Sequence, residues 1–309
     1  MTTEFDTTTE FDTTNEFDMS TINKDFLENG YVVIPNVLTP DEINESIDEF
    51  NNWRSSVENL DELHDIIDNN GMFKYFEVSH QRFAWLVRTN PKILSIFKSL
   101  WNTDQLVTSF DGCCYYPSDY IGTPTCWTHS DQSSLKPGLR CIQSFVSLTS
   151  NKERTFVVYE GSHKLHEDHS EIYNVEDPSD WYMIEEEYLE NIQDRKKILE
   201  VDAGSLVLWD SRTFHQNTCG TPTCEEERLV QYLCYLPKEN DQNDEFVQDK
   251  RRLYFNNYRT TNHYPYPMTA VPKQPNAYNY YNNDNFYIDY PSLPEPDLDD
   301  LLDKIEELL

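Results

Sequence analysis

Apolar and polar residues follow helical spacing over most of the first third of the chain. Phe26–Gly30 has the form of a helix end with a glycine stop, and Tyr31–Pro35 is a short run rich in β-branched residues. Thr39 and Pro40 then have the properties of an N-cap and of the first residue of a new helix. Apolar and charged residues between positions 60 and 101 indicate further helices. The pattern therefore predicts an N-terminal helical layer.

From about residue 106 the pattern changes to short β-branched and aromatic runs separated by turn residues. The strands predicted there are Leu106–Phe110, Cys141–Leu148, Thr155–Tyr159, Ser205–Trp209 and Arg228–Leu236. An acidic stretch at residues 176–198 interrupts the series and is predicted to be a helical insertion. Helices followed by short strands predict a mainly β fold, an antiparallel barrel or sandwich with flanking helices.

The two ends of the chain differ from its body. Residues 1–20 repeat Glu-Phe-Asp three times between polar residues, which predicts a disordered acidic tail. Residues 21–290 are predicted to form the folded domain. Residues 291–309 are predicted to be an acidic linker and a C-terminal amphipathic helix, because Leu and Ile recur there at helical spacing. That helix can pack on the domain or bind a partner, and we favour packing on the domain.

The chain is strongly acidic, with a net charge of −32. Each terminal segment, 1–20 and 291–309, carries −6, which leaves −20 for the body. Such a field repels phosphate backbones and anionic membrane surfaces, so we expect no nucleic-acid partner and no membrane association. A polyanionic substrate would need a local basic pocket to overcome this field.

Targeting and nucleotide-binding signals are not evident in the sequence. No apolar run is long enough to span a bilayer, and the first residues lack the basic and apolar regions of a signal peptide. The seven cysteines are an odd number, which is typical of free thiols in a reducing compartment, so we expect a cytoplasmic protein. Neither GxxxxGK[ST] nor GxGxxG occurs, so a nucleotide-binding fold has no motif support.

Two histidines and one carboxylate form the candidate metal site. His129 and Asp131 are separated by one residue, so alternation places them on the same face of a strand or extended loop. His215 lies at the end of the run that starts at Gly204, and Trp209 shares its face if that run is one continuous strand. Two imidazoles and a carboxylate suit a mononuclear Fe(II) site with open positions for a cosubstrate and O₂.

Other histidines and cysteines in the sequence offer rival metal sites. An isolated histidine is more often a surface or satisfied core residue than a metal ligand, so the hypothesis depends on the joint pattern. Cys219 and Cys224 have zinc-like spacing but lack a second half-site. His163, His166 and His169 recur at i, i+3 and i+6. We expect the first of these histidines to be structural and the other two to be exposed.

Four sequence blocks occur in an order that a known family shares. They are Asp25–Ile43, Thr128–Gln132, Thr155–Lys164 with its Gly-Ser-His turn, and Gly204–His215. In this order they resemble the phytanoyl-CoA dioxygenase (PhyH) superfamily of Fe(II)/2-oxoglutarate oxygenases, over roughly residues 22–237. Thr108–Gly112 and Arg259–Pro265 also resemble PhyH-like proteins.

The resemblance implies a double-stranded β-helix, a jelly roll with flanking helices. It implies that His129, Asp131 and His215 hold Fe(II), and that a later arginine binds the far carboxylate of 2-oxoglutarate. Arg228 fits this role because it opens a β run and its planar guanidinium suits a bidentate carboxylate contact. Arg212 is the rival, but strand alternation would turn it to the face opposite His215.

Two further polar residues are candidates for cosubstrate binding. Asn217 lies two residues beyond His215 and shares its face if the strand continues. Gln143 lies where the family often directs a polar side chain inward. Both can equally be ordinary strand residues.

The implied reaction is hydroxylation of an unidentified small-molecule substrate, with 2-oxoglutarate converted to succinate and CO₂. Asp131 favours hydroxylation over halogenation, because related halogenases carry a small residue in place of this carboxylate. Two other classes stay open. One is a catalytically inactive jelly-roll module that binds partners through its acidic tails. The other is a metal-dependent cupin enzyme or oxygenase without 2-oxoglutarate, which an outward-facing Arg228 would favour.

Overall fold

The computed structural model describes residues 17–67, 70–176, 178–275 and 287–309, so most of the predicted acidic tail lies outside the described residues. The helices are α1 Met19–Asn29, α2 Pro40–Ser56, α3 Leu60–Ile67, α4 Arg82–Arg88, α5 Pro91–Trp101, α6 His166–Tyr173, α7 Glu186–Asn191, α8 Glu245–Asn256 and α9 Leu302–Glu306. The strands are β1 Tyr31–Ile34, β2 Met72–Phe73, β3 Leu106–Thr108, β4 Cys113–Tyr116, β5 His129–Ser130, β6 Ile142–Ser147, β7 Phe156–Tyr159, β8 Tyr182–Met183, β9 Lys196–Ile198, β10 Leu206–Asp210, β11 His215–Asn217 and β12 Arg228–Pro237.

The first helix ends and the second helix begins where the sequence predicts. Gly30 ends α1 at φ 79°, where a Cβ atom would approach Nδ1 of His163 to 2.3 Å, so the position requires glycine. Thr39 and Glu42 form a reciprocal capping box at the start of α2: the Thr39 hydroxyl accepts from the Glu42 amide, and the Glu42 carboxylate accepts from the Thr39 amide. Local capping therefore sets the boundaries of the helical layer.

Two antiparallel sheets form the β part of the molecule. The major sheet has the strand order β1-β10-β6-β12-β4-β2, with β3 also paired to β12. The minor sheet has the order β8-β5-β11-β7-β9. Antiparallel sheets with flanking helices confirm the predicted jelly-roll architecture.

Side-chain alternation in the major sheet separates a helix-packed face from an inner face. Leu206 and Leu208 join the large core cluster that includes α1, α2 and α5, whereas Val207 and Trp209 join a second cluster with residues of the minor sheet. The Trp209 ring lies 4.8 Å from that of Phe156 in β7. The inner face of the major sheet therefore packs against the minor sheet, and polar side chains on that face point into the barrel.

Two local predictions are wrong. Among the described residues of 176–198, only Glu186–Asn191 is α-helical, while β8 and β9 pair with β5 and β7 at the two edges of the minor sheet. Pairing of backbone groups at these edges overrides the acidic character of the segment. The run Gly204–His215 is not one strand: β10 and β11 belong to different sheets, and the Thr213 amide donates to Asp210 O in the turn between them. The alternation argument that turned Arg212 away from His215 therefore does not apply.

The C-terminal segment packs on the domain. Leu298, Leu301 and Ile305 are buried in a cluster with Trp85 and Phe110. The Thr108 amide donates to the Leu308 carbonyl at 3.2 Å, which joins the segment to β3. In the described ranges, no helix combines the length and apolar character that a bilayer crossing needs.

Candidate metal and cosubstrate site

His129 and His215 lie opposite each other on adjacent strands of the minor sheet. They are direct partners in the β5–β11 register, and their ring centroids are 4.4 Å apart. Asp131, one residue beyond β5, places Oδ1 3.6 Å from Nε2 of His129 and Oδ2 3.3 Å from Nε2 of His215. Ligand atoms from the three residues lie within 4.8 Å of one another. The structure thus brings the three predicted residues to distances that suit one ion.

Backbone hydrogen bonds select the imidazole tautomers. Nδ1 of His129 lies 3.1 Å from the Trp127 carbonyl, and Nδ1 of His215 lies 2.8 Å from the Thr213 carbonyl. A carbonyl oxygen only accepts, so each Nδ1 carries the proton and each Nε2 presents its lone pair. This arrangement is the one in which outer hydrogen bonds orient histidine ligands toward a metal.

The electrostatics of the site favour deprotonated ligands. Burial lowers the pKa of His215, and the adjacent His129 lowers it further, so the His215 imidazole is neutral at neutral pH. Burial would raise the pKa of the Asp131 carboxyl, but the two histidines lower it well below its usual range. Divalent metals bind neutral imidazole and ionised carboxylate, so these three groups fit a metal such as Fe(II).

Gln143 reaches the site from the major sheet. Its Nε2 donates to Oδ2 of Asp131 at 2.8 Å, and its Oε1 is buried without a hydrogen-bond partner. Both residues line the same cavity. Gln143 therefore contacts the triad through the carboxylate of Asp131.

Arg228 lies on the inner face of the major sheet and is fully buried. Its Nη2 donates to Oδ1 of Asn217 at 3.1 Å, whereas Nε and Nη1 are buried without a partner. The guanidinium carbon is 5.2 Å from the centre of the Phe145 ring. No carboxylate lies within 4.0 Å of this guanidinium among the described residues. A buried, incompletely paired guanidinium is a suitable partner for a ligand carboxylate.

Asn217 connects this arginine to the cavity. Besides accepting from Arg228, it donates from Nδ2 to the Tyr232 hydroxyl at 2.8 Å. Asn217 and Tyr232 both line the cavity that contains the triad. Burial raises the pKa of Tyr232 far above its usual value, so the phenol stays protonated. The predicted residues Arg228 and Asn217 thus form one hydrogen-bonded group beside the triad.

The rival arginine has a different environment. Arg212 donates from Nη2 to Oδ2 of Asp210 at 2.7 Å and from Nε to Oδ1 at 2.9 Å. This bidentate pair occupies the guanidinium edge that a ligand carboxylate would need. Arg212 is therefore engaged in a structural ion pair.

The predicted histidine cluster is not brought together as a metal site. Nε2 of His163 contacts the Leu27 carbonyl, Nε2 of His166 contacts the Gln132 carbonyl, and Nε2 of His169 contacts the Glu185 carboxylate at 2.6 Å. The expectation that the last two are exposed is wrong, because both are almost completely buried. The seven cysteines are free thiols.

A cavity of about 380 Å³ contains the triad and several residues that sequence reasoning did not select. Tyr232 is four residues after Arg228 in β12, so alternation could have placed it on the same face. The Trp181 ring lies 5.7 Å from that of His129 in a tilted arrangement, but Trp181 comes from the acidic insertion, where no pattern marks it. Asp111 and His263 also line the cavity and come from distant parts of the chain.

Comparisons with known proteins agree with this geometry. Residues 26–218 match the family model described as phytanoyl-CoA dioxygenase (PhyH). The Ava biosynthesis cluster protein O of Aspergillus versicolor is 27% identical over 267 residues, which cover 78% of this chain and 85% of that protein.

Solved structures share the fold at low identity. EctD from S. alaskensis, determined with 2-oxoglutarate and 5-hydroxyectoine, has a TM-score of 0.53 at 16% identity and covers 75% of this chain and 80% of its own. GIG2 from Candida albicans has a TM-score of 0.57 at 14% identity and covers 76% of this chain and 66% of its own. The family match, which spans more than half of the chain, carries the assignment. The chain therefore belongs to the phytanoyl-CoA dioxygenase (PhyH) family and is an enzyme of the 2-oxoglutarate-dependent dioxygenase class, with Fe(II), 2-oxoglutarate and O₂ as metal, cosubstrate and oxidant.

Proposed function

We propose that this protein hydroxylates a small-molecule substrate while 2-oxoglutarate is converted to succinate and CO₂. The observation that carries the proposal is the buried guanidinium of Arg228, which has two nitrogens without a hydrogen-bond partner in the same barrel as a preorganised His-Asp-His triad. Each buried polar group without a hydrogen-bond partner costs about 1–3 kcal/mol, and a bound anion would remove this cost for the guanidinium. A dicarboxylate cosubstrate would supply that anion.

In this proposal His129, Asp131 and His215 hold Fe(II). When bound there, Fe(II) would supply the redox chemistry that couples decarboxylation of 2-oxoglutarate to oxidation of the substrate. The protein orients the ligands: the carbonyls of Trp127 and Thr213 fix the two imidazoles, and Gln143 fixes one oxygen of the carboxylate. Three protein ligands leave further positions open for cosubstrate and O₂.

Arg228 binds the far carboxylate of 2-oxoglutarate in the proposed complex. Its Nη2 has a second N–H besides the one donated to Asn217, and this N–H can form the two parallel bonds of a bidentate pair together with the unpartnered nitrogen, Nε or Nη1, on the same edge of the guanidinium. Asn217 holds the third nitrogen, Nη2, so the guanidinium plane is already oriented before the ligand arrives. The Tyr232 hydroxyl, which accepts from Asn217, is available to donate its own proton to the same carboxylate.

The carboxylate in the triad favours hydroxylation over halogenation. Asp131 occupies a ligand position that a halide would need, so a halogenation outcome is disfavoured. The remaining cavity, beyond the triad and the Asn217–Tyr232 pair, has room for a small molecule and is lined on one side by Trp127 and Trp181. A cavity of this size and mixed lining is typical of small-ligand sites.

The experiment that tests this function measures cosubstrate binding by calorimetry on the full chain under anaerobic conditions, with and without Fe(II). We expect 2-oxoglutarate to bind tightly only when metal is present, and Asp131→Ala to lose metal binding while its circular dichroism stays native. Asp241→Ala, at an exposed acidic position, is the matched control and should bind both. Failure of the wild-type chain to bind either metal or 2-oxoglutarate would contradict the proposal.

A further inference from the structure

Two sequence segments outside the metal and cosubstrate site meet at one wall of the cavity. The first is Thr108–Gly112 and the second is Arg259–Pro265. The Thr261 amide donates to the Phe110 carbonyl at 2.8 Å, and the Phe110 amide donates to Oγ1 of Thr261 at 2.9 Å. This pairing joins residues 151 positions apart in the chain, and Asp111 and His263 both line the triad's cavity.

The second segment also contacts the metal end of the cavity. The buried Tyr264 donates from its hydroxyl to the Asp131 carbonyl at 2.9 Å. The segment therefore extends from the backbone of a triad residue to the side chain of Asp111. A molecule in the cavity would have the triad near one part of its surface and the Asp111 wall near another.

Asp111 is a buried carboxyl group without a paired cation. It is 7% exposed, and the Ser109 hydroxyl donates to its Oδ2. Arg88 donates to the main-chain oxygen of Asp111 at 2.6 Å, and no ion pair involves the Asp111 carboxylate within 4.0 Å among the described residues. Burial raises the pKa of this carboxyl, and the Ser109 hydroxyl, His263 and Arg88 offset only part of that rise. A cationic group from a ligand would offset the remainder.

His263 provides a second polar atom on the same wall. Its Nε2 is buried and has no hydrogen-bond partner, although the residue lines the cavity. A buried imidazole nitrogen without a partner is available to a hydrogen-bonding group of a ligand. Carboxylate and imidazole together therefore complement a group that donates several hydrogen bonds, as a protonated amine does.

The rest of the cavity and the charge of the protein favour the same ligand chemistry. Trp127 and Trp181 line the cavity, and aromatic faces attract cations as well as apolar rings. Lys74 is the cationic lining residue, but it already interacts with another part of the protein. A net charge of −32 raises the local concentration of cations and repels anions.

We propose that the cavity selects a substrate with a protonated nitrogen, which pairs with Asp111 and His263 while its apolar part lies against Trp127 and Trp181. This inference rests on the proposed function, because it takes the cavity beside the triad to be the substrate site. It assigns the substrate class as an amine with an apolar or aromatic body. It also gives the Asp111 and His263 segments a role in specificity that is separate from metal and cosubstrate binding.

The test uses three indole probes that differ mainly in their polar end: tryptamine, tryptophol and indole-3-propionate. Calorimetry measures their dissociation constants for the full chain loaded with Mn(II) and 2-oxoglutarate, so that no turnover occurs. We expect tryptamine to bind at least about tenfold more tightly than the other two, as a charge-assisted hydrogen bond implies. Asp111→Asn should remove this preference. Glu77→Gln, which changes a buried carboxyl outside this cavity, should retain it.

A second variant distinguishes loss of the binding site from a structural effect of Asp111→Asn. His263→Leu should weaken tryptamine several-fold and leave tryptophol nearly unchanged. Equal affinity for the three probes, a preference for the carboxylate, a preference that survives in Asp111→Asn, or no binding of any probe would overturn the inference. Binding of Mn(II) and 2-oxoglutarate is measured first in every sample. Its loss in the wild type would count against the proposed function, whereas its presence without an amine preference counts against this inference alone.

Discussion

Nε2 of Gln143 donates a hydrogen bond of 2.8 Å to Oδ2 of Asp131. Gln143 belongs to β6 of the major sheet, whereas Asp131 follows β5 of the minor sheet. The two sheets are therefore connected at the carboxylate that stands between two histidines. A glutamine on the inner face of one sheet orients a residue from the other, which makes it a positioning residue for the proposed metal site.

Replacing Gln143 by Leu keeps the side-chain size and removes the amide donor. We expect the affinity for Fe(II) or Mn(II) to fall about 10- to 100-fold, as is usual when an outer partner of a metal ligand is lost. Metal titration followed by calorimetry measures the change. Gln193→Leu, at an exposed position, is the control and should bind metal like the wild type. Unchanged metal affinity in Gln143→Leu would show that Asp131 is oriented without this amide.

Replacing Arg228 by Lys keeps a positive charge but removes the planar pair of donors. The affinity for 2-oxoglutarate should fall at least about tenfold, because the bidentate contact is lost. Metal affinity should stay the same, since Arg228 contacts Asn217 and not the triad.

Arg212→Lys is the matched control for the arginine variant. Arg212 is paired with Asp210, so this change should leave the affinity for 2-oxoglutarate unaltered. If Arg212→Lys lost cosubstrate binding and Arg228→Lys retained it, the assignment of the carboxylate partner would be wrong.

Ile305 tests the packing of the C-terminal segment. Its side chain is fully buried with Trp85, Phe110 and Met268, so Ile305→Ala leaves a cavity in that cluster. We expect the free energy of unfolding to fall by about 2–5 kcal/mol in chemical denaturation. Leu302→Ala, whose side chain is 43% exposed, should cost less than about 1 kcal/mol. Similar small losses for both variants would indicate that the segment does not pack as described.

Ionisation of the Glu77 carboxyl makes the free energy of unfolding depend on pH. Burial raises its pKa to about 7, although Lys273 lies 4.0 Å away. Because the folded-state pKa lies above the unfolded one, this group binds its proton more tightly in the folded state, and stability is lost as pH rises through 7. Glu77→Gln should therefore increase the free energy of unfolding by about 1–3 kcal/mol at pH 8 and change it little at pH 4.

Denaturation of Glu77→Gln at the two pH values measures this difference. The exposed Glu239→Gln serves as the control and should show no pH-dependent gain. An equal effect of Glu77→Gln at both pH values would mean that ionisation of this carboxyl is not coupled to folding.

Much of the fold was predictable because interactions between residues close together in the chain determine it. The capping box at Thr39 and the glycine stop at Gly30 are complete within a few residues of sequence. The run Arg228–Leu236 predicts a strand, and side-chain alternation along β12 puts Arg228 and Tyr232 on one face. The triad could be proposed because His129 and Asp131 form a local motif and because the sequence blocks around the triad occur in the order that the PhyH family shares.

The features that were missed depend on distant contacts. β8 consists of two residues within an acidic segment and exists because β5 offers an edge, so no periodicity marks it. The break between β10 and β11 transfers the chain from one sheet to the other, which apolar spacing alone does not reveal. Asp111 and His263 face one cavity only because Phe110 and Thr261 pair across the fold.

Release of succinate tests the central claim most directly. The full chain is incubated with Fe(II), ascorbate, 2-oxoglutarate and O₂, and succinate is quantified against a sample that contains Asp131→Ala. The account predicts slow, metal-dependent succinate formation by the wild type even without substrate, and none by the variant. Binding of neither metal nor 2-oxoglutarate, together with succinate release no greater than that of Asp131→Ala, would contradict it.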